Sequence, residues 1–356
     1  MNTKLIPNSP NQDLSTAIQV LQQGGLVAMP TETVYGLAAN ALNPDAVRKI
    51  FLAKGRPSDN PLIVHIASLN QLNDLVKTIS PTAQKLMDAF WPGPLTLVFP
   101  ASPLVPPMVS AGLKTVAVRF PSHPIAQKLI LASGLVLAAP SANTSGKPSP
   151  TTAQRVLEDL DGKVEIIIDG GRVEVGLEST VIDVTQEVPV ILRPGKITLD
   201  MIRAVAGSVT VDPALEQSED HHFIPKAPGM KYTHYSPNAQ VYIVEGHKED
   251  VVQTIDTLAL KDRTNNKKVG IMTTDETLSS YTQGDMTLSL GSQTALETIA
   301  YSLFETLRAF DDAKMDIVYT EGFSTEGIGS AIMNRLTKAA GYKVIKAIST
   351  GGQSSE

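Results

Sequence analysis

PDAVRKIFLAKGRPSDNPLIVHI, residues 44–66, decides the fold. Pro44 stands in a first turn, where a helix tolerates proline, and the residues after it read as helix up to Gly55. LIVHI (62–66) is short, apolar and rich in branched side chains, so it reads as a buried strand. Between them KGRPSDNP puts Lys54 and Arg56 on a turn stiffened by Pro57 and Pro61. Each proline biases its predecessor, Arg56 or Asn60, away from helical backbone. Both cations are therefore expected off the face of any long helix, with Gly55 letting the backbone approach whatever they hold. A solvated surface turn is the bland alternative.

The same alternation runs outward from this stretch. Leu14, Ile18 and Leu21 recur at helical spacing and stop at Gly24-Gly25, and LVAMP (26–30) reads as a strand. TLVF, TVAVRF, LVLAAP, VEIIID and STVIDV are further strands, with helices over 81–90 and 124–132. Together they make an α/β domain over residues 1–208. Residues 209–238 carry four prolines and no sustained apolar period, too long for an ordinary connection, and read as an interdomain linker. From 239 to 349 a second unit alternates VYIVEG, KVGIMTT, MDIVYTEG and YKVIKA with helices, and 350–356 is a tail. Leu296, Ile299, Leu303, Leu307 and Phe310 form one stripe with the spacing of a core-facing helix. A small doubly wound sheet is the expected arrangement of this unit.

Composition narrows the function classes. The 356 residues carry a net charge of −6, so no global basic field draws RNA, DNA or an anionic membrane. Cysteine is absent, which excludes disulfides, thiol catalysis and thiolate metal sites. The six histidines form no HExxH spacing, and the adjacent His221 and His222 read as a solvated pair. The N-terminus has no apolar signal core and no stretch approaches a membrane span, so a cytoplasmic protein is expected. No phosphate-binding P-loop occurs, because the Gly-Lys pairs at 146–147 and 195–196 lack a following Ser or Thr. GIGSAIMNR (327–335) begins like a dinucleotide turn without its third glycine, and a tight strand-to-helix turn is the weightier reading.

Polar, turn-rich stretches sit at the strand ends of the first domain: PTETVYGLAANA, KGRPSDNPL, PSANTSGKPSP, and GLESTVID with LRPGK. Hydroxyls, amides and isolated cations in such turns are what an open α/β sheet offers a ligand. PSANTSGKPSP fits two readings equally, a ligand loop or a loop capping a helix over 151–157 through Ser149 or Thr151. Arg119 ends the strand TVAVRF, where it suits either a bidentate carboxylate clamp or a structural ion pair, and Arg193 raises the same choice.

The order P-T-E-T-V-Y-G-L, K-G-R-P with N-P-L-I-V-H, then P-S-A-N-x-S-G resembles the YrdC-like family of L-threonylcarbamoyl-AMP synthases. PGMKYTHYSP and EGIGSAIMNRLTKAA resemble its long form, in which a linker joins that domain to a smaller one. The resemblance implies a YrdC-like twisted mixed-sheet domain with an open ligand cleft, plus a Rossmann-like α/β C-terminal domain. It also implies a nucleotidyltransferase that combines L-threonine, bicarbonate or CO2 and ATP into threonylcarbamoyl-AMP and pyrophosphate. That product feeds the threonylcarbamoyl modification of adenosine beside the tRNA anticodon, through a downstream transfer machinery.

Lys54, Arg56, Ser141 and Asn143 match the family's K-x-R and S-x-N signature, and the two cations are the implied catalytic pair. By the same resemblance threonine falls to Thr33, His65, Arg119, Ser179 and the backbone near Ala139. ATP falls to Lys54, Arg56, Asn60, Thr115, Ser141, Asn143, Ser149 and Arg193, with Tyr235, and less surely Tyr232, closing over it as a lid. His65, inside an apolar strand, equally suits a hydrogen-bonded core histidine. Mg2+ is expected to arrive bound to ATP, since the sequence shows no carboxylate cluster to hold it. An RNA-binding or ribosome-maturation module, contacting RNA through a local patch, is the alternative that the net charge disfavours. A hydrogenase-maturation carbamoyltransferase is disfavoured by the absence of cysteine and by the length.

Overall fold

The structure, a computed structural model, describes residues 2–10, 12–215 and 235–347. Tyr232, most of the linker and the tail lie outside the described residues. The chain divides into two compact units, Met1–Ser145 with Ser149–Tyr232, and Gly146–Pro148 with Thr233–Glu356.

The first unit opens with β1 (Lys4–Ile6), α1 (Ser15–Gln22), β2 (Val27–Met29), β3 (Gly36–Asn40) and α2 (Pro44–Lys54). It continues through β4 (Ile63–His65), α3 (Leu69–Leu75), α4 (Pro81–Phe90), β5 (Leu95–Pro100), α5 (Pro107–Ser110) and β6 (Thr115–Arg119). Next come α6 (Pro124–Ser133), β7 (Leu137–Ala138), α7 (Ala153–Leu160) and β8 (Ile166–Ile168). It closes with β9 (Thr180–Asp183), β10 (Val190–Arg193), α8 (Leu199–Ala206) and β11 (Thr210–Val211). The strands form one mixed sheet in the order β1-β8-β2-β3-β7-β4-β6-β5-β9-β10-β11. Side chains alternate across it: Leu37 joins the apolar cluster of Ile50, Val64, Leu97 and Phe99, while Ala38 joins that of Leu21, Met29 and Ile166.

Three local readings of the sequence differ from the structure. Lys54 lies on a helix after all, as the last residue of α2. Pro57 constrains only Arg56, and the helix is ended instead by Gly55 in the left-handed region (φ 64°), so Lys54 keeps helical backbone. The cap of α7 is Thr152, whose side chain accepts from Arg155 N, and neither Ser149 nor Thr151 caps it. GLAAN, read as part of a polar turn, is β3, because its small side chains suit a strand covered on both faces.

The second unit holds β12 (Gln240–Glu245), α9 (Lys248–Thr264), β13 (Val269–Thr273), β14 (Met286–Ser289), α10 (Leu296–Asp312), β15 (Ile317–Glu321), α11 (Gly329–Ala339) and β16 (Val344–Lys346). Its sheet runs β14-β13-β15-β12-β16 with every pairing parallel, as the doubly wound expectation required. Ile299, Leu303, Leu307 and Phe310 of α10 are buried. In GIGSAIMNR, a Cβ on Gly329 would come 2.0 Å from Ser324 O, so the glycine serves a tight turn into α11. At the carboxyl ends of β13 and β15 the buried Glu321 accepts from Thr273, Thr277 and Tyr281. The protein's own side chains thus occupy the place where such sheets often seat a ligand.

The N-terminus of α2 is held by Asn43, whose side chain accepts from Asp45 N and Ala46 N. Asn43→Ala should lower unfolding stability by about 1 kcal/mol, measured by denaturant titration; an unchanged midpoint would contradict this capping role.

Candidate functional site

Lys54 joins the two signature motifs physically. Its side chain is buried, and Nζ donates to Ser141 O (2.5 Å), Asn143 O (2.6 Å) and Asn143 Oδ1 (3.3 Å). Ser141 Oγ donates to the same Asn143 Oδ1 at 2.5 Å. An ammonium without water is tolerable only among such acceptors. The loop they belong to is laced into the PTET turn, with Leu37 N donating to Pro140 O and Ala142 N to Tyr35 O. Beyond Gly55, Arg56 Nη2 donates to Pro61 O at 3.3 Å. Asn60 is 1% exposed, yet neither atom of its side-chain amide has a hydrogen-bond partner. Buried amides are rarely left so.

A second group gathers where β9 begins and β10 ends. Arg193 Nε donates to Ser179 O (3.0 Å) and Nη2 to Ser179 Oγ (3.1 Å), while Ser179 Oγ lies 2.8 Å from Thr96 Oγ1. Gly195 permits this closeness, since a Cβ there would stand 2.4 Å from Thr180 N. Ser149 Oγ donates to the buried Glu178 Oε1 at 2.5 Å.

The third group lies at the ends of β4 and β6. These strands run parallel with His65 opposite Arg119. Burial first, and then the charge of Arg119, hold His65 down to about 3, so its ring is neutral at physiological pH. Arg119 meets Glu32 of the PTET turn at 2.7 Å, and both side chains are buried. Of the two roles open to Arg119, the ion pair is therefore present. Thr33 is fully buried, its Oγ1 2.9 Å from that of Thr31. Val175 N and Gly176 N donate to the carbonyls of Glu32 and Thr33, which ties this turn to the segment leading into Ser179. Ala139 N donates to Ile63 O, fixing the backbone beside β4.

Thr115 stands apart: it opens β6 while Arg119 closes it, roughly 13 Å away at ordinary strand rise. Tyr235 lies in the second unit, its ring buried and stacked on Phe304 at 5.1 Å with the Arg335 guanidinium 5.8 Å away. Glu32 and Glu178 escaped the reading of the sequence. The available signal was one acid inside each hydroxyl-rich turn, T-E-T and L-E-S, at a strand end. Among the described residues no group of three or more His, Asp or Glu is placed to hold a metal.

Two family models match consecutive parts of the chain. One, described as "Telomere recombination", covers residues 19–195, and "Threonylcarbamoyl-AMP synthase, C-terminal domain" covers 197–341. The threonylcarbamoyl-AMP synthase of Bacillus subtilis is 49% identical over 96% of this chain and 96% of its own. That of Pyrococcus abyssi is 51% identical over 92% and 93%. The chain belongs to the threonylcarbamoyl-AMP synthase family. The crystal structure of Pyrococcus abyssi Sua5 complexed with L-threonine superposes with a TM-score of 0.91 at 47% identity, covering 98% of this chain and all of that one.

The neutral state of His65 has a measurable consequence. Below pH 6.5 the unfolded chain takes up a proton on this ring that the folded chain refuses, so stability falls as pH drops from about 6.5 towards 3. At pH 5 the loss is about 2 kcal/mol. His65→Gln should flatten the Tm–pH curve between pH 7 and 5, and a variant with the wild-type slope would contradict the assignment.

Proposed function

We infer that the protein is an L-threonylcarbamoyl-AMP synthase, and that the site just described performs the reaction. The single observation that carries the site assignment is the buried cluster of Lys54, Ser141 and Asn143, which makes one physical unit of two motifs 87 residues apart. Threonine's neutral amine forms a C–N bond with CO2 derived from bicarbonate, one C=O π pair becoming the carbamate's charge as the nitrogen gives up a proton to solvent. A carbamate oxygen then bonds to the α-phosphorus of ATP as the α–β anhydride P–O bond breaks, releasing pyrophosphate. The attacking group is already an anion, so the chemistry needs positioning and charge stabilisation more than a strong base.

In this reading Arg119 takes the threonine carboxylate and neutral His65 accepts from its hydroxyl. Thr33, Ser179 and the backbone at Ala139 complete the amino-acid pocket. Arg56 and the unpartnered amide of Asn60 face the nucleotide, with Thr115, Ser149 and Arg193 as its further contacts. Lys54, already held by carbonyl oxygens, shapes the S-x-N loop and adds its positive charge to the field on the phosphates. Mg2+ would come with ATP, neutralising phosphate charge. Tyr235 is the proposed lid residue over the nucleotide. The 1–208 domain would carry the chemistry, with 209–238 as the linker and 239–349 as the second domain. Among the described residues no helix is long and apolar enough to cross a membrane, which suits a cytoplasmic partner of the tRNA-modifying transfer machinery.

Pyrophosphate release is expected to require ATP, threonine and bicarbonate together. Arg56→Ala should lower kcat on the order of 10²–10³-fold, by analogy with loss of one oxyanion donor. In the same assay Tyr235→Ala should raise KM for ATP. Release that ignores threonine, or survives Arg56→Ala at wild-type rate, would overturn this reading.

A further inference from the structure

Glu32 has no part in the proposed reaction, yet it touches the residue assigned to the substrate carboxylate. Its side chain is 4% exposed and lies 2.7 Å from Nη2 of Arg119, which is 5% exposed. Neither oxygen of Glu32, and neither Nε nor Nη2 of Arg119, meets a partner in hydrogen-bond geometry. The contact is thus a close buried pair of opposite charges whose directional bonds are unfilled. Balancing the charge explains why Glu32 is there, because a lone buried guanidinium is costly. It does not explain the open donors. Buried N–H groups without acceptors are rare, and an arginine fork held from one edge presents the others to a second carboxylate.

Both partners are anchored independently of one another. The Glu32 carbonyl accepts from Val175 N at 2.9 Å, and Thr31 Oγ1 closes the same turn on Val34 O at 2.6 Å. Arg119 is fixed by pairing with Thr96 and His65 and by Ile66 N donating to its carbonyl. The neighbouring His65 is neutral and brings no charge of its own.

We propose that Glu32 is a positioning residue: it holds and charge-balances the Arg119 guanidinium so that the open N–H groups face the α-carboxylate of the amino-acid substrate. This rests on the reading of Arg119 as the carboxylate contact. Glu32 touches no reacting atom and acts through Arg119 alone, so its loss should appear in amino-acid recognition and leave the nucleotide side intact.

The test is steady-state pyrophosphate release by the full chain, varying L-threonine and ATP separately, with L-threonine amide as a competitor lacking the carboxylate. Glu32→Gln should raise KM for threonine about tenfold, the loss of one well-made charged contact. KM for ATP and kcat at saturating threonine should stay within about twofold, and inhibition by the amide should be unchanged, since neither depends on that contact. Glu32→Asp, which keeps the charge but withdraws it, should fall between, and it decides alone if the glutamine variant does not fold. An unchanged threonine KM, or equal weakening of threonine, amide and ATP, would overturn the proposal. Arg119→Lys separates the underlying reading: if it leaves threonine KM unchanged, Arg119 is not the carboxylate contact. If it raises that KM while both Glu32 variants do not, only the role of Glu32 falls.

Discussion

A buried ammonium must find acceptors, and Lys54 finds them in the backbone of another motif. Much of the site follows from that constraint. The carbonyls of Ser141 and Asn143 have to turn inward toward the end of α2, which fixes a loop otherwise free to wander. The amide of Ser145 returns the link by donating to Lys54 O. Through Ala142 and Tyr35 the same loop is tied to the PTET turn, and through Glu32 and Thr33 that turn reaches the segment before Ser179. One buried charge thus ends a chain of contacts running across the polar turns of the first unit.

Two other buried cations of the first unit are treated alike. Arg119 is balanced by Glu32 and Arg193 is spread over Ser179. Fixed charges among fixed dipoles need little reorganisation when an anion arrives. His65 shows the accompanying cost: its burial, and then its neighbour's charge, keep the ring neutral.

How much was legible in the sequence differs by element. The α/β alternation of both units was readable, because short apolar strands such as LIVHI and helices such as 81–90 carry their periods locally. β3 was not, since Gly36, Leu37 and two alanines have little strand character until a sheet covers both faces. The motifs gave the identities of Lys54, Arg56, Ser141 and Asn143. That Lys54 spends its donors on backbone carbonyls was hidden, because a sequence shows no carbonyl orientations. Glu32 was hidden for a related reason: its partner Arg119 lies 87 residues away, and only the register of β6 brings them together. The stop of α2 at Gly55 was legible, and the misjudgement was to let Pro57 draw Lys54 off the helix, although a left-handed glycine one residue past a basic helix end lets that residue keep helical backbone.

The central claim is that Lys54 holds the S-x-N loop in place. Amide hydrogen exchange of residues 142–145 in Lys54→Met against wild type tests it most directly, since methionine keeps much of the length and removes the donors. The account predicts protected amides at Ala142 and Ser145 in the wild type and exchange at least about tenfold faster in the variant, equivalent to about 1.4 kcal/mol of lost local stability. Equal protection in the two proteins, with both folded, would contradict it.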